Sequence, residues 1–203
     1  MMSKTLIGDY ILATDIERKL CDLGKHPTKL PAFSVFYGEP GTGKTSVAKR
    51  FGKLFSGQTN YYPVNESGLP EKEWGEIKNN YNGSTLPFDD DGEKVLRKVY
   101  ILDEFHNLPR KKQERFKTIY DDLPDDVRFI FVLNTEGNRK RLHHFLSPAM
   151  MSRCHPYCFD VPVSEVDEVV TKAQLVYQNL TMEKIKCLLP DHRLLERENR
   201  FAA

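Results

Sequence analysis

The sequence predicts an α/β fold: a parallel sheet flanked by helices over residues 1–161, followed by a small all-helical lobe over residues 162–203. Two observations carry this. Short apolar runs recur at Phe33 to Tyr37, Tyr61 to Asn65, Val99 to Leu102, Val127 to Leu133 and Tyr157 to Val161. Each is bounded by turn or helix signals, which suits strands buried on both faces. Between them, Ser46 to Phe55 and Lys111 to Tyr120 have helical spacing, and strands alternating with helices argue for a parallel arrangement.

Past Pro162 the pattern changes. Ser164 is placed to cap a helix with Asp167 three residues on, and Val166, Val169, Val170, Ala173, Val176 and Tyr177 share one helical face. Thr181 is placed to cap a second helix that Pro190 ends, and Asp191 starts a third. The polar stretch from Asn82 to Glu93, with aspartates at 89, 90 and 91, reads as a solvated loop.

With 203 residues, 39% of them hydrophobic, the chain can bury one substantial core and a small second one. Its net charge of +1 announces neither a nucleic-acid nor a membrane partner, so any basic surface must be local. The amino terminus has no apolar stretch approaching the roughly 20 residues of a membrane span, and no signal-peptide core. The expected location is the cytoplasm, or the host cytoplasm for a viral chain. Cys21, Cys154, Cys158 and Cys187 read as free thiols; Cys154, His155 and Cys158 cluster, but their spacing suits no common zinc pair, so the cluster reads as buried thiols.

The chemistry concentrates at Gly38-Glu39-Pro40-Gly41-Thr42-Gly43-Lys44-Thr45-Ser46, a G-x-x-x-x-G-K-T pattern set after a strand-like run and before a helix-like one. Gly38, Gly41 and Gly43 let the backbone curl so that amide groups point at phosphate oxygens, and the following helix adds its positive end. Lys44 would neutralise the β- and γ-phosphates and Thr45 would ligate magnesium. That metal needs a carboxylate at the end of a neighbouring strand, and Val99-Tyr-Ile-Leu-Asp103-Glu104 supplies one. Asp103 is assigned to the hydrated magnesium, and Glu104 to the water that attacks the γ-phosphate. Asn134, closing the next run, would lie on the same rim and hydrogen-bond the γ-phosphate or the water. The expected ligands are therefore ATP and Mg2+.

With these motifs in view the chain resembles the AAA+ ATPases, and more narrowly their clamp-loader family: replication factor C small subunits, the bacterial γ and δ′ subunits, and the loaders of tailed phages. Ser147-Pro-Ala-Met-Met-Ser-Arg153-Cys154 is similar to the family's serine-arginine-cysteine motif. The resemblance makes Arg153 an arginine finger acting on a neighbouring subunit. Asn65-Glu-Ser67 looks like the family's asparagine-x-serine strand end, and Gln113 stands where the family carries a glutamine. Leu189-Pro-Asp191-His-Arg193 resembles the sensor-2 motif of loader lids, so Arg193 would contact the γ-phosphate of its own subunit.

The resemblance also implies partners: other AAA+ subunits, a sliding clamp and primed double-stranded DNA. Arg110, Lys111, Lys112 and Lys117 lie where loaders face the duplex, and Arg139-Lys-Arg141 with His143 and His144 forms a second basic group. The chain departs from the family in three ways. No helical collar follows the lid, the lid is short, and the tyrosine-arginine-proline element is missing, with Tyr10 and Ile11 a remnant of the adenine pocket. Other readings therefore stay open: a helicase loader, a transposition regulator, a defence ATPase, or a scaffold subunit that binds ATP without hydrolysing it.

Overall fold

The computed structural model describes residue 6 and residues 10–83, 96–135 and 142–202. The aspartates at 89–91 and the basic group at 139–141 lie outside these residues. Helix α1 (Thr14–Lys25) leads into strand β1 (Phe33–Gly38), helix α2 (Lys44–Phe55) and strand β2 (Ser56–Pro63). Helix α3 (Glu71–Asn80), strand β3 (Leu96–Asp103), the short helices α4 (Arg110–Gln113) and α5 (Arg115–Asp121), and strand β4 (Val127–Asn134) follow. Helix α6 (Pro148–Met151) precedes strand β5 (Cys154–Cys158), and α7 (Val166–Val176), α8 (Met182–Leu188) and α9 (His192–Phe201) close the chain.

The five strands form one parallel sheet in the order β2-β3-β4-β1-β5. Strand β1 lies between β4 and β5 and leads one way to β2, whereas β4 connects across it to β5. A crevice at the carboxyl end of such a switch strand is where ligands bind in open parallel sheets.

Both faces of the sheet are covered, and the side-chain period of two sorts the residues between them. Phe36, Val99, Ile101, Ile130 and Val132 pack with Leu20 of α1 and Val47 and Phe51 of α2. On the opposite face Phe33, Val35, Tyr100, Phe129 and Phe131 pack with Trp74 of α3 and Phe116 of α5. Ring pairs such as Phe105 with Phe131, centroids 4.5 Å apart, fill that second layer. A third cluster joins α7, α8 and α9 to Ile11, with Val169, Ala173, Ile185 and Leu195 at its centre.

The strand limits differ from the sequence expectation at the sheet's edges. Strand β2 runs over Ser56–Pro63 rather than Tyr61 to Asn65. As an edge strand it is largely exposed, so its polar first half carries no hydrophobic signal. Strand β5 is Cys154–Cys158 rather than Tyr157 to Val161, because Phe33↔Cys154 and Tyr37↔Cys158 fix its register on β1. The helix expected over Lys111 to Tyr120 breaks at Glu114 into α4 and α5.

Ser164 does not cap α7. Pro162 starts a 3-10 turn over Val163–Glu165, and the helix begins at Val166 after Glu165. Glu165 is drawn instead to the start of α1, where its carboxylate accepts the Thr14 amide at 2.6 Å. Val176 is 47% exposed, having turned off the face that buries Val169 and Ala173. Thr181 and Asp191 do cap α8 and α9, accepting the amides of Lys184 and Arg193. Cys158 is exposed, which corrects the expectation of buried thiols in the cluster, and Cys21 and Cys187 are exposed as well. Cys154 and Cys158 share a face of β5 but lie about 13 Å apart along it, with His155 pointing the other way. Among the described residues no group of three or more His, Cys, Asp or Glu is placed to hold a metal. Nor is any helix among them long and apolar enough to cross a membrane.

Candidate functional site

The register of the central strands assembles the site. Gly38 ends β1 directly beside Asn134 of β4, and the Thr135 amide donates to the Gly38 carbonyl at 3.0 Å. From Gly38 the chain turns through Glu39 to Gly43 and enters α2 at Lys44, with Gly43 left-handed at φ 86°. The first amides of α2 therefore face the crevice without intrahelical acceptors.

Gly41 is glycine for two reasons. Its φ is 81°, and a Cβ there would come within 2.2 Å of the Asp191 carboxyl carbon and 2.8 Å of the Asp191 Cα. The His192 amide also donates to the Gly41 carbonyl at 3.1 Å, so the start of α9 rests on the loop. On the other flank Asp160 accepts the Glu39 amide at 2.6 Å. The Thr42 hydroxyl donates to the Glu39 carbonyl at 2.9 Å, and Pro40 and Ser46 line the crevice.

Lys44 is only 3% exposed. Its Nζ donates to the Gly38 carbonyl at 2.9 Å, to Thr42 Oγ1 at 3.1 Å and to the Glu39 carbonyl. Burial lowers this ammonium to about 8, and the carboxylates of Asp160 and Asp103 oppose the shift only in part. A polyanion brought against Nζ would restore the charged form. Binding of a triphosphate at about pH 9 is therefore expected to take up a fraction of one proton per site, since the free lysine is partly neutral there and the bound one is not. Titration calorimetry in buffers of different ionisation enthalpy measures this. Proton release, or no exchange, would count against a triphosphate on Lys44.

The acidic wall comes from the end of β3. Asp103 Oδ1 accepts the Thr45 hydroxyl at 3.1 Å and the Glu104 amide at 3.0 Å, and Oδ2 accepts the Tyr61 hydroxyl at 2.8 Å. The Lys49 ammonium sits 3.6 Å above the Tyr61 ring. A hydroxyl and a carboxylate in direct contact form a hard oxygen donor set of the kind magnesium accepts, so the residues present fit that ion.

Glu104 is left-handed, φ 56° and ψ 34°, a conformation that costs a non-glycine residue energy and turns its side chain back over the crevice. Its Oε1 accepts the Asn134 Nδ2 at 3.0 Å and its Oε2 lies 3.3 Å from His106 Nε2. Lys44, Thr45, Asp103, Glu104 and Asn134 thus meet at one cavity of about 590 Å³, a size suited to a nucleotide.

The rest of the cavity wall is Tyr10, Arg50, Tyr177, His192, Arg193 and Glu196. Burial lowers the His192 imidazole from its ordinary range, against the pull of the Ile11 backbone and of Asp191 and Glu196. Arg193 lines the cavity with its guanidinium paired to Asp191 at 3.3 Å. Sequence reasoning missed Tyr61, His106, Arg50, Tyr177 and His192. Tyr61 carried no signal of its own, because its place beside Asp103 comes from the pairing of β2 with β3.

Arg153 is not in this cavity. It precedes β5, at the edge of the sheet opposite the loop, with its guanidinium 3.6 Å from Asp121, over the Tyr120 ring, and donating to the Ala149 carbonyl. Gln113, fully buried, holds this segment: its Nε2 donates to the Leu108 and Phe145 carbonyls and its Oε1 accepts the Ser147 amide at 2.7 Å. The basic residues also lie outside the cavity. Arg110, Lys111 and Lys117 are exposed and Lys112 is half-buried, and Arg110 donates to the His143 carbonyl.

A profile of the ATPase family associated with various cellular activities (AAA) matches residues 34–158. Stage V sporulation protein K of Bacillus subtilis is 30% identical over 166 residues, 78% of this chain and 50% of that protein. Replication factor C subunit 3 of Saccharomyces cerevisiae is 27% identical over 168 residues, 81% of this chain and 45% of that protein. The chain thus spans about half the length of these curated relatives. A DNA polymerase III gamma subunit-related protein from Thermotoga maritima shares the fold, with a TM-score of 0.54 at 16% identity over 89% of this chain and 57% of that one.

Proposed function

Because the chain belongs to the AAA family of ATPases, we propose that it binds ATP with magnesium at a subunit interface, hydrolyses it, and uses the cycle to remodel a sliding clamp on primed DNA. In this reading residues 1–161 form the nucleotide-binding unit and residues 162–203 a lid over it. The observation that carries the hydrolytic part is the contact of the Thr45 hydroxyl with the Asp103 carboxylate beside Glu104 and Asn134. These groups flank the loop formed by Gly38, Glu39, Pro40, Gly41, Thr42, Gly43, Lys44 and Ser46.

The side chains divide the chemistry between them. Lys44 leaves the loop carbonyls and neutralises phosphate oxygens, while the loop amides hold them. Thr45 and Asp103 hold magnesium, which when bound draws charge off the β- and γ-phosphates. Glu104 accepts a proton from the attacking water, and Asn134 fixes that water or a γ-phosphate oxygen. Arg193 reaches the γ-phosphate from the lid, and Arg153 reaches that of a neighbouring subunit.

Similarity to replication factor C subunit 3 supports the clamp and DNA part of the proposal. The exposed Lys111 and half-buried Lys112 would then contact backbone phosphates together with Arg110 and Lys117. Replacing Lys111 and Lys112 by alanine together is expected to leave basal ATP turnover unchanged, to lower its stimulation by primed duplex DNA several-fold, and to flatten the salt dependence. Stimulation equal to wild type would remove the duplex contact. A second reading, another AAA machine without a clamp, draws on the higher identity to Stage V sporulation protein K. ATP turnover indifferent to clamp and to DNA would favour it.

A further inference from the structure

Beside Glu104 stands a half-buried imidazole that does not line the cavity. It belongs to His106, in the 3-10 turn Phe105–Asn107 that follows the acid pair. Its side chain is 21% exposed and stands edge-on to the Phe145 ring, 6.3 Å between centroids. Its Nδ1 accepts the main-chain amide of Asn134 at 3.4 Å, and its Nε2 lies 3.3 Å from Glu104 Oε2. Asn134 meanwhile donates through its side chain to Glu104 Oε1 at 3.0 Å. The three residues thus close a ring: the end of β4 grips the carboxylate directly with an amide and indirectly through an imidazole.

This ring determines the tautomer. A neutral imidazole has one donor and one acceptor nitrogen. Since the Asn134 amide can only donate, Nδ1 is the acceptor, and the proton stands on Nε2, aimed at Glu104. A carboxylate oxygen has two acceptor positions. With one on each oxygen taken by Asn134 and His106, one on each remains for a water proton. The arrangement therefore orients the carboxylate without disabling it as a base. The left-handed backbone of Glu104 aims the side chain toward the crevice, and the two donors hold its carboxylate plane.

Resting on the reading of Glu104 as the water-activating carboxylate, we propose that His106 is a positioning residue for ATP hydrolysis, holding the Glu104 carboxylate through Nε2–H while its Nδ1 is registered on the main chain of Asn134. His106 is not among the residues lining the cavity, so it acts on turnover and not on binding.

Three variants separate this from a packing role. H106F keeps a ring against Phe145 but loses both hydrogen bonds, and it is expected to lower kcat about tenfold with KM and ATP affinity near wild type. H106Q carries an amide donor at the reach of Nε2 and should recover most of that loss. H106N carries its acceptor at the reach of Nδ1 and should not. Independently of turnover, 15N–13C correlation spectra of the histidine side chains should show His106 as the Nε2–H tautomer. Wild-type turnover by H106F, equal rates for H106Q and H106N, or an Nδ1–H tautomer would each overturn the proposal. Absence of turnover in the wild type itself would instead overturn the functional reading on which it rests.

Discussion

Replacing Glu104 by glutamine is expected to lower ATP turnover by about 10² to 10⁴-fold, the range that a positioned general base contributes, while ATP binding stays within a few-fold of wild type. Glutamine has nearly the same shape and keeps an oxygen for the Asn134 amide, which lies 3.0 Å from Glu104 Oε1. It cannot accept a proton from water, and its amide nitrogen would face the donor of His106 where a carboxylate oxygen stood at 3.3 Å. The loss is expected to fall on the chemical step, because the groups proposed to hold the phosphates lie on the loop and on Lys44, outside the ring that Glu104 completes. Single-turnover hydrolysis with equilibrium binding of labelled ATP separates the two quantities. A Glu104→Gln chain that retains a third of wild-type turnover would show that another group activates the water, or that the chain never hydrolysed at this site. A wild-type chain that binds ATP but turns it over no faster than the variant would be a scaffold.

What the sequence made legible follows from where each element lies. Strands β1, β3 and β4 are central and buried on both faces, so their apolar runs mark them directly, and the loop, the acid pair and Asn134 follow at their ends. The edge strands were misplaced because half their residues meet solvent and leave no run to read. Helices α1 and α3 were not anticipated at all. Each buries only two or three residues, such as Leu20 and Leu23 in α1 and Trp74 and Ile77 in α3. Side chains that act across strands were invisible for another reason. Tyr61 meets Asp103 because β2 and β3 pair Tyr61 with Ile101 and Pro63 with Asp103, and register of that kind is set by tertiary packing. His106 is close to Glu104 in sequence, yet its use depends on Asn134, 28 residues away in sequence, lying beside the turn.

Arg153 gives the other large effect, under the proposal that it serves a neighbouring subunit. The carboxyl end of β5 lies at the loop, where Asp160 accepts the Glu39 amide. Arg153 precedes the opposite end, so the five residues of the strand put about 16 Å between it and the loop of its own chain. Its partner Asp121 is a half-exposed carboxylate at 3.6 Å, a pairing worth at most about 1 kcal/mol and readily exchanged for a phosphoryl group. The turn that carries it is pinned by Gln113 through the Ser147 amide, so the arginine is presented from a fixed base. Alanine at 153 is expected to lower turnover by about 10³-fold, the lower edge of the range for trans-acting arginine fingers, with ATP affinity little changed. The decisive measurement mixes this variant with Glu104→Gln in equal amounts. Each is inactive alone, but random assembly joins an intact pocket from one to an intact arginine from the other at roughly a quarter of the interfaces. Turnover should rise toward that fraction of wild type. A mixture no more active than its parents, or an Arg153→Ala chain at full rate when diluted to a monomer, would leave the arginine a structural residue of its own subunit.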